Sequence, residues 1–358
     1  MARRGSVRTV RLGVAVAALA LLGLMGVGHV LVWNALTGSI EDGMAAWAEE
    51  RRAAGWDVAY GRPERHGWPF AAAVRFPGLT IASGPSSPVA FVWAGGTAHA
   101  RIAPPDLRLV ELDLPDPQLL LMEGNELRFA AERLVLSFRV EGSAPPQAAS
   151  LEAQRLRIAA PLLLPDQAGE AAALSASFSI RPDATEAEAA LTFSISALDV
   201  LLPVEGPFGR SVPEAALTLT ASGPVPGRRA PRQRAETWRD AGGTVALSGV
   251  TLQHGPIRAE GEATLALDAA LQPMGAGRLA VTGHDAALSA LVNAGMITRG
   301  AAVQAGLALR LVQRVPEDGG PPRVEAPLLL ENRRLTVLGA PVARLPRLPW
   351  PPTPETAQ

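Results

Sequence analysis

The sequence predicts a mainly β protein: an N-terminal transmembrane helix, then a large antiparallel sheet, curled or barrel-like, with a few short helices. Three observations predict it. Residues 12–36 form an apolar run whose only strongly polar members, His29 and Asn34, lie toward its distal end, apolar and polar residues alternate with period two from about Trp56 onward, and Gly or Pro punctuates nearly every gap between alternating segments.

At about 1.5 Å per helical residue the apolar run is about 37 Å long, enough to cross a hydrocarbon core of about 30 Å with some tilt. Arg3, Arg4, Arg8 and Arg11 precede it, while Glu41 and Asp42 follow it, so the positive-inside rule puts the N-terminus in the cytoplasm. Trp33 sits where an interfacial aromatic belongs. A cleaved secretory signal is the rival reading, but the run exceeds a signal's usual apolar length and Asn34-Ala35-Leu36-Thr37 is a poor cleavage site. The expected organisation is a basic cytoplasmic tail (1–11), an uncleaved anchor (12–36), a juxtamembrane helix (37–55), a periplasmic β-rich domain (56–340) with an internal division near 223–241, and a proline-rich tail (341–358).

The juxtamembrane helix is expected from Ile40 to Ala54, with Ser39 as its cap and Gly55 as its stop. Ile40, Met44 and Trp47 share one face, suited to packing on the following domain or to meeting a membrane surface or partner. Five segments carry the clearest strand signature: 133–140, 174–180, 191–196, 217–220 and 263–268. In the second, Leu174, Ala176, Phe178 and Ile180 alternate with Ser175, Ser177 and Ser179. Less regular strands are expected at 56–62, 70–81, 89–93, 98–102, 107–114, 118–123, 153–159, 244–253, 276–283, 323–330 and 334–338. Pro231–Ala241 reads as a short helical connector. His284–Leu311 reads as two helices split near Gly295, covering a sheet face or forming a lid. From Pro341 the prolines predict an extended, frayed tail.

The 358 residues carry a net charge of −1, so nucleic acid is not an implied partner. There is no cysteine, hence no disulfide framework or thiolate chemistry, and every cation besides histidine is arginine, which removes Schiff-base lysine chemistry. His29, His66, His99, His254 and His284 show no paired-ligand spacing, so a metal site would require His66, His99 and His254 to meet across strands. Gly275-Ala276-Gly277-Arg278-Leu279-Ala280 matches a dinucleotide-loop pattern in letters, but a strand rather than a helix follows. Asp113 with Asp116, and Glu123 with Glu126, flank turns and would act as glycosidase carboxylates only across a sugar. Arg228, Arg229, Arg232 and Arg234 form a loop cluster suited to anionic lipid headgroups or lipopolysaccharide, or to solvent.

Several landmarks resemble an uncharacterised alphaproteobacterial family, domain of unknown function 2125. They are Ala53-Ala54-Gly55-Trp56, Gly67-Trp68-Pro69-Phe70, Trp238 with Gly242-Gly243, the Glu260–Asp268 stretch with Pro273, and Leu335-Thr336-Val337-Leu338-Gly339. More distantly, the C-terminal half is similar in style to AsmA-like envelope proteins, whose curled sheets are thought to hold acyl chains. The resemblance implies a Gram-negative inner-membrane protein with its main domain in the periplasm, and it supplies no catalytic residue. The expectation is therefore a non-enzymatic protein without cofactor or metal that binds lipid-like ligands in an apolar trough. The alternative is an envelope structural or assembly factor that binds other proteins, and a hydrolase using turn carboxylates or dispersed histidines ranks third.

Overall fold

A computed structural model describes residues 5–350 except 86, 88, 141–145, 187, 224–230 and 315–320, with only the backbone described for residues 5–17. The chain begins as one helix, α1 (Gly5–Ala53). Its 49 residues extend about 73 Å. This corrects the expected division between an anchor and a separate juxtamembrane helix. Ser39 does not cap a new helix: its hydroxyl donates back to the Leu36 carbonyl, and Thr37 donates to the Trp33 carbonyl. Hydroxyls that bond to preceding carbonyls leave the backbone ladder intact. The stop at Gly55 is as expected. With φ +84° it lets Gly55 N–H reach the Arg52 carbonyl and Trp56 N–H reach that of Arg51, which closes the helix C-terminus.

Among the described residues nineteen strands form one antiparallel sheet. They begin with β1 (Asp57–Ala59), β2 (Glu64–His66), β3 (Ala72–Ala82) and β4 (Phe91–Ala103). Next come β5 (Asp106–Asp113), β6 (Gln118–Met122), β7 (Asn125–Ala130), β8 (Arg133–Arg139), β9 (Ala148–Ala159) and β10 (Ala168–Ile180). Two long strands follow, β11 (Ala189–Gly206) and β12 (Gly209–Ser222), then α2 (Pro231–Asp240), β13 (Val245–His254), β14 (Ile257–Leu267) and β15 (Pro273–Thr282). The helical pair α3 (His284–Asn293) and α4 (Arg299–Val312) leads to β16 (Gln313–Arg314), β17 (Arg323–Glu331), β18 (Arg334–Val337) and β19 (Ala340–Arg344).

The pairing is a meander. β1 and β2 share one edge of β3, which pairs with β4. β5 and β6 lie end to end along β4 as one interrupted strand, and β8 and β7 return beside them to meet β9. From β9 each strand pairs with the next through β15, then β17, β18 and β19. Among the described residues no ladder pairs β19 with β1 or β2, so the sheet is not closed into a barrel.

The interruptions have local causes. At Pro115-Asp116-Pro117 two prolines cannot donate to a ladder; Asp116 instead accepts the Thr97 N–H at 2.6 Å, and buried Gln118 donates to the Gly95 carbonyl. In β13 the apolar phase slips from Val245 and Leu247 to Val250 and Leu252. A bulge absorbs the extra residue, with Gly249 at φ +58°. The tail also departs from expectation: Ala340–Arg344 is an edge strand, where proline is tolerated. Beyond it the Leu348 backbone exchanges hydrogen bonds with the Gln272 amide, and Trp350 donates to the Leu271 carbonyl.

Candidate functional site

Opposed residues of an antiparallel pair project from the same face, so the registers trace rows across the sheet. One row runs Val74, Ala100, Leu112, Leu136, Leu151, Ala176, Ile195, Leu217 from β3 to β12. Another runs Val110, Phe138, Ala149, Phe178, Phe193, Leu219, Leu247, Ala263, Gly277, Leu328, Val337 from β5 to β18. Every member is apolar. The row between them belongs to the other face and reads Arg101, Glu111, Ser137, Ser150, Ser177, Ser194, Thr218. The hydroxyls there bond across strands, Ser194 to Thr218 at 3.0 Å and Ser175 to Ser196 at 2.8 Å. The ion pairs Arg101–Glu111 and Arg75–Glu64 also lie on this wet face.

The apolar face is covered unevenly. α1 rests on β1, β3 and β4, where Ile40, Met44, Trp47 and Ala48 join a core with Val58, Val74, Phe76, Leu79 and Ile102. Of the two apolar rows only Val74, Ala100 and Val110 are buried, all at this end. Ile195, Leu217, Phe193, Leu219 and Leu247 are half-buried, and Phe178 is 37 % exposed. On the opposite, wet face a shallow cavity of about 210 Å³ is lined on each strand by a wet-face pair, such as Ser175 with Ser177 and Ser194 with Ser196, and by the residue between them.

Of the candidate chemical groups His66, His99, Asp113 and Asp116 come near one another, whereas His254 lies elsewhere on the sheet. His66 and His99 stack edge to face with centroids 5.6 Å apart, whereas His254 bonds the Gly209 carbonyl beside Phe208. Burial and the nearby Arg75 hold the His99 pKa below its ordinary value. Asp116 titrates low because the Thr97 N–H stabilises its carboxylate, which gives it a structural task. Glu123 occupies a left-handed turn position, and Glu126 pairs with Arg128. Among the described residues no group of three or more His, Asp and Glu side chains could hold a metal ion.

Gly275 and Gly277 lie within β15. A Cβ on Gly277 would clash with the Glu262 carbonyl oxygen, so these glycines serve close strand approach rather than phosphate binding. Trp238 covers Gly243 and donates to the Ser222 carbonyl, fixing α2 to the β12–β13 junction. Arg232 pairs with Glu236 within α2, while Arg228 and Arg229 lie outside the described residues. α3 and α4 enclose a cleft of about 590 Å³ lined by Leu288, Val292, Val303 and Leu307. The α3–α4 pair meets the sheet at β14 and β17.

Two groups carry no signal in the spacing rules applied to the sequence. His284 is buried at the start of α3 with neither ring nitrogen hydrogen-bonded. The Gly67–Phe70 turn folds back against α1, where two large aromatics inside a turn were the available hint.

The arrangement defines a β-meander protein with, among the described residues, one helix long and apolar enough to cross a membrane. A family model described as "Uncharacterized protein conserved in bacteria (DUF2125)" matches residues 33–346, and the chain belongs to that family. No curated protein and no solved structure matches the chain, so the distant likeness to AsmA-like proteins rests on sequence style alone.

Proposed function

We propose that this is a non-catalytic protein anchored in the inner membrane, with its sheet in the periplasm taking lipid-like ligands on the apolar face. The observation carrying the proposal is the row from Val110 to Val337, which stays apolar across the sheet yet is buried only at the α1 end. Apolar surface left half-hydrated across many strands favours an apolar occupant. The arginines before the span and acids after it support the orientation. Tethering places such a face beside a source of acyl chains.

The test is mass spectrometry of lipid co-purifying with the full chain and with Ile195→Glu. The proposal expects a bound lipid lost in the variant while annular lipid is retained; identical lipid profiles would contradict it.

The assembly-factor reading draws on a different surface. Val303, Leu307 and Leu311 of α4 are 62 %, 59 % and 88 % exposed, an apolar stripe suited to a partner's helix or strand. Crosslinking from α4 that captures one protein in stoichiometric yield, with no lipid lost in Ile195→Glu, would favour that reading.

A further inference from the structure

We infer that the Gly67–Phe70 turn is a second membrane contact, inserting Trp68 and Phe70 at the acyl–headgroup boundary beside α1 and setting the domain's pose on the bilayer. The inference rests on reading α1 as the membrane span. Three observations carry it.

First, the turn is fastened to the helix. His29 Nε2 donates to the Pro69 carbonyl at 2.7 Å and Trp33 Nε1 donates to the Ala71 carbonyl at 3.0 Å, while the His29 and Trp68 rings meet edge to face at 6.3 Å. The turn's own geometry is locked by Phe70 and Ala71 N–H groups donating to the Gly67 carbonyl.

Second, its aromatics are largely exposed. Trp68 is 57 % and Phe70 85 % exposed, although the domain's core lies a few residues away at Ala72–Phe76.

Third, the level matches the span. Leu31 and Val32 are still exposed apolar residues, whereas Thr37 and Ile40 are buried against the sheet, so the change from lipid-facing to domain-packed helix falls between them. The turn attaches at His29 and Trp33, at that change. Immediately beyond it Arg65 donates to both carboxylate oxygens of Glu41, at 2.9 and 2.7 Å, and reaches Asn34 Oδ1 at 3.4 Å. Apolar helix, aromatic turn and charged collar thus succeed one another along one axis, the order in which a bilayer presents acyl chains, interface and water. A lone helix leaves the domain free to rotate about its axis. An off-axis contact removes that freedom.

The sequence has no cysteine, so single thiols can be placed in the full chain. Nitroxide labels at Phe70→Cys, Trp68→Cys and Leu24→Cys, with Ser179→Cys as an exposed control, are read by EPR in phosphatidylcholine–phosphatidylglycerol vesicles. Oxygen and a water-soluble nickel chelate serve as collision probes. The expected result is oxygen-accessible, nickel-excluded labels at 24, 68 and 70, with 68 and 70 shallower than 24, and the reverse at 179. If labels 68 and 70 behave like 179 while 24 is in lipid, the turn contact is overturned and the anchor stands. If 68 and 70 are shielded from both probes, they face protein and the inference fails. If 24 is in water, the anchor reading falls and takes the inference with it.

Discussion

Val74 and Leu217 end the same cross-strand row, yet Val74 is completely buried and Leu217 is half-exposed. The strands are alike in pattern and pairing, and the difference is the roof. At β1, β3 and β4 the C-terminal part of α1 lays Ile40, Met44, Trp47 and Ala48 on the apolar face. Among the described residues no helix lies along the rows in this way between β10 and β13, while α3 and α4 meet the sheet at β14 and β17, where Val324, Ala326 and Leu330 of the same face are buried. One sheet thus combines a conventional core, which holds the domain to α1, with apolar rows whose side chains stay partly hydrated.

Substitutions in the two regions sharpen that contrast. Phe76→Ala, in the covered half, should cost about 3–5 kcal/mol by denaturant titration, whereas Phe193→Ala should cost clearly less because its side chain is already partly hydrated. Equal losses would mean the second half is as tightly packed as the first. Gly277→Val should cost roughly 1–3 kcal/mol, because the new Cβ meets the β14 backbone. Its effect on strand pairing should appear as faster amide exchange in β14 and β15.

Glu41 offers a pH probe of the covered half. Its hydrogen bonds from Arg65 lower its pKa from the ordinary 4.5. A carboxylate depressed on folding contributes stability above its unfolded value, and loses it as pH falls through the folded value. The thermal midpoints of wild type and Glu41→Gln should therefore differ above the ordinary carboxylate value and converge in stronger acid. The smallest effect is expected at His284, whose buried ring lacks hydrogen bonds. His284→Leu should leave the midpoint unchanged or raise it slightly, since the buried ring makes no hydrogen bond and only a 4.0 Å contact to Asp285.

The row architecture was legible in segments such as Leu174–Ile180 and Leu191–Ser196, because period-two alternation survives wherever pairing is regular. It was obscured where a single extra residue slips the phase, as at Ser248-Gly249, or where Pro115 and Pro117 divide one long strand into two. The continuous α1 was hidden because Ser39 looks like a cap from sequence, while the helix runs on through a segment whose Thr37 is buried against the sheet. β7 was missed because Gly124-Asn125 reads only as a turn, and the hairpin it makes with β6 depends on pairing partners. The uneven roof of the apolar face was not legible at all, since alternation reports which face is apolar and not what covers it.

The most direct measurement of the central claim uses single cysteines along one row of the full chain. The set is Val110→Cys, Phe138→Cys, Phe178→Cys, Phe193→Cys and Leu247→Cys, each timed for reaction with a small thiol reagent under native conditions. The account predicts slow labelling at 110 and fast labelling at 178, 193 and 247, slowed again by added phospholipid. Uniformly slow labelling along the row would show a closed core and contradict it.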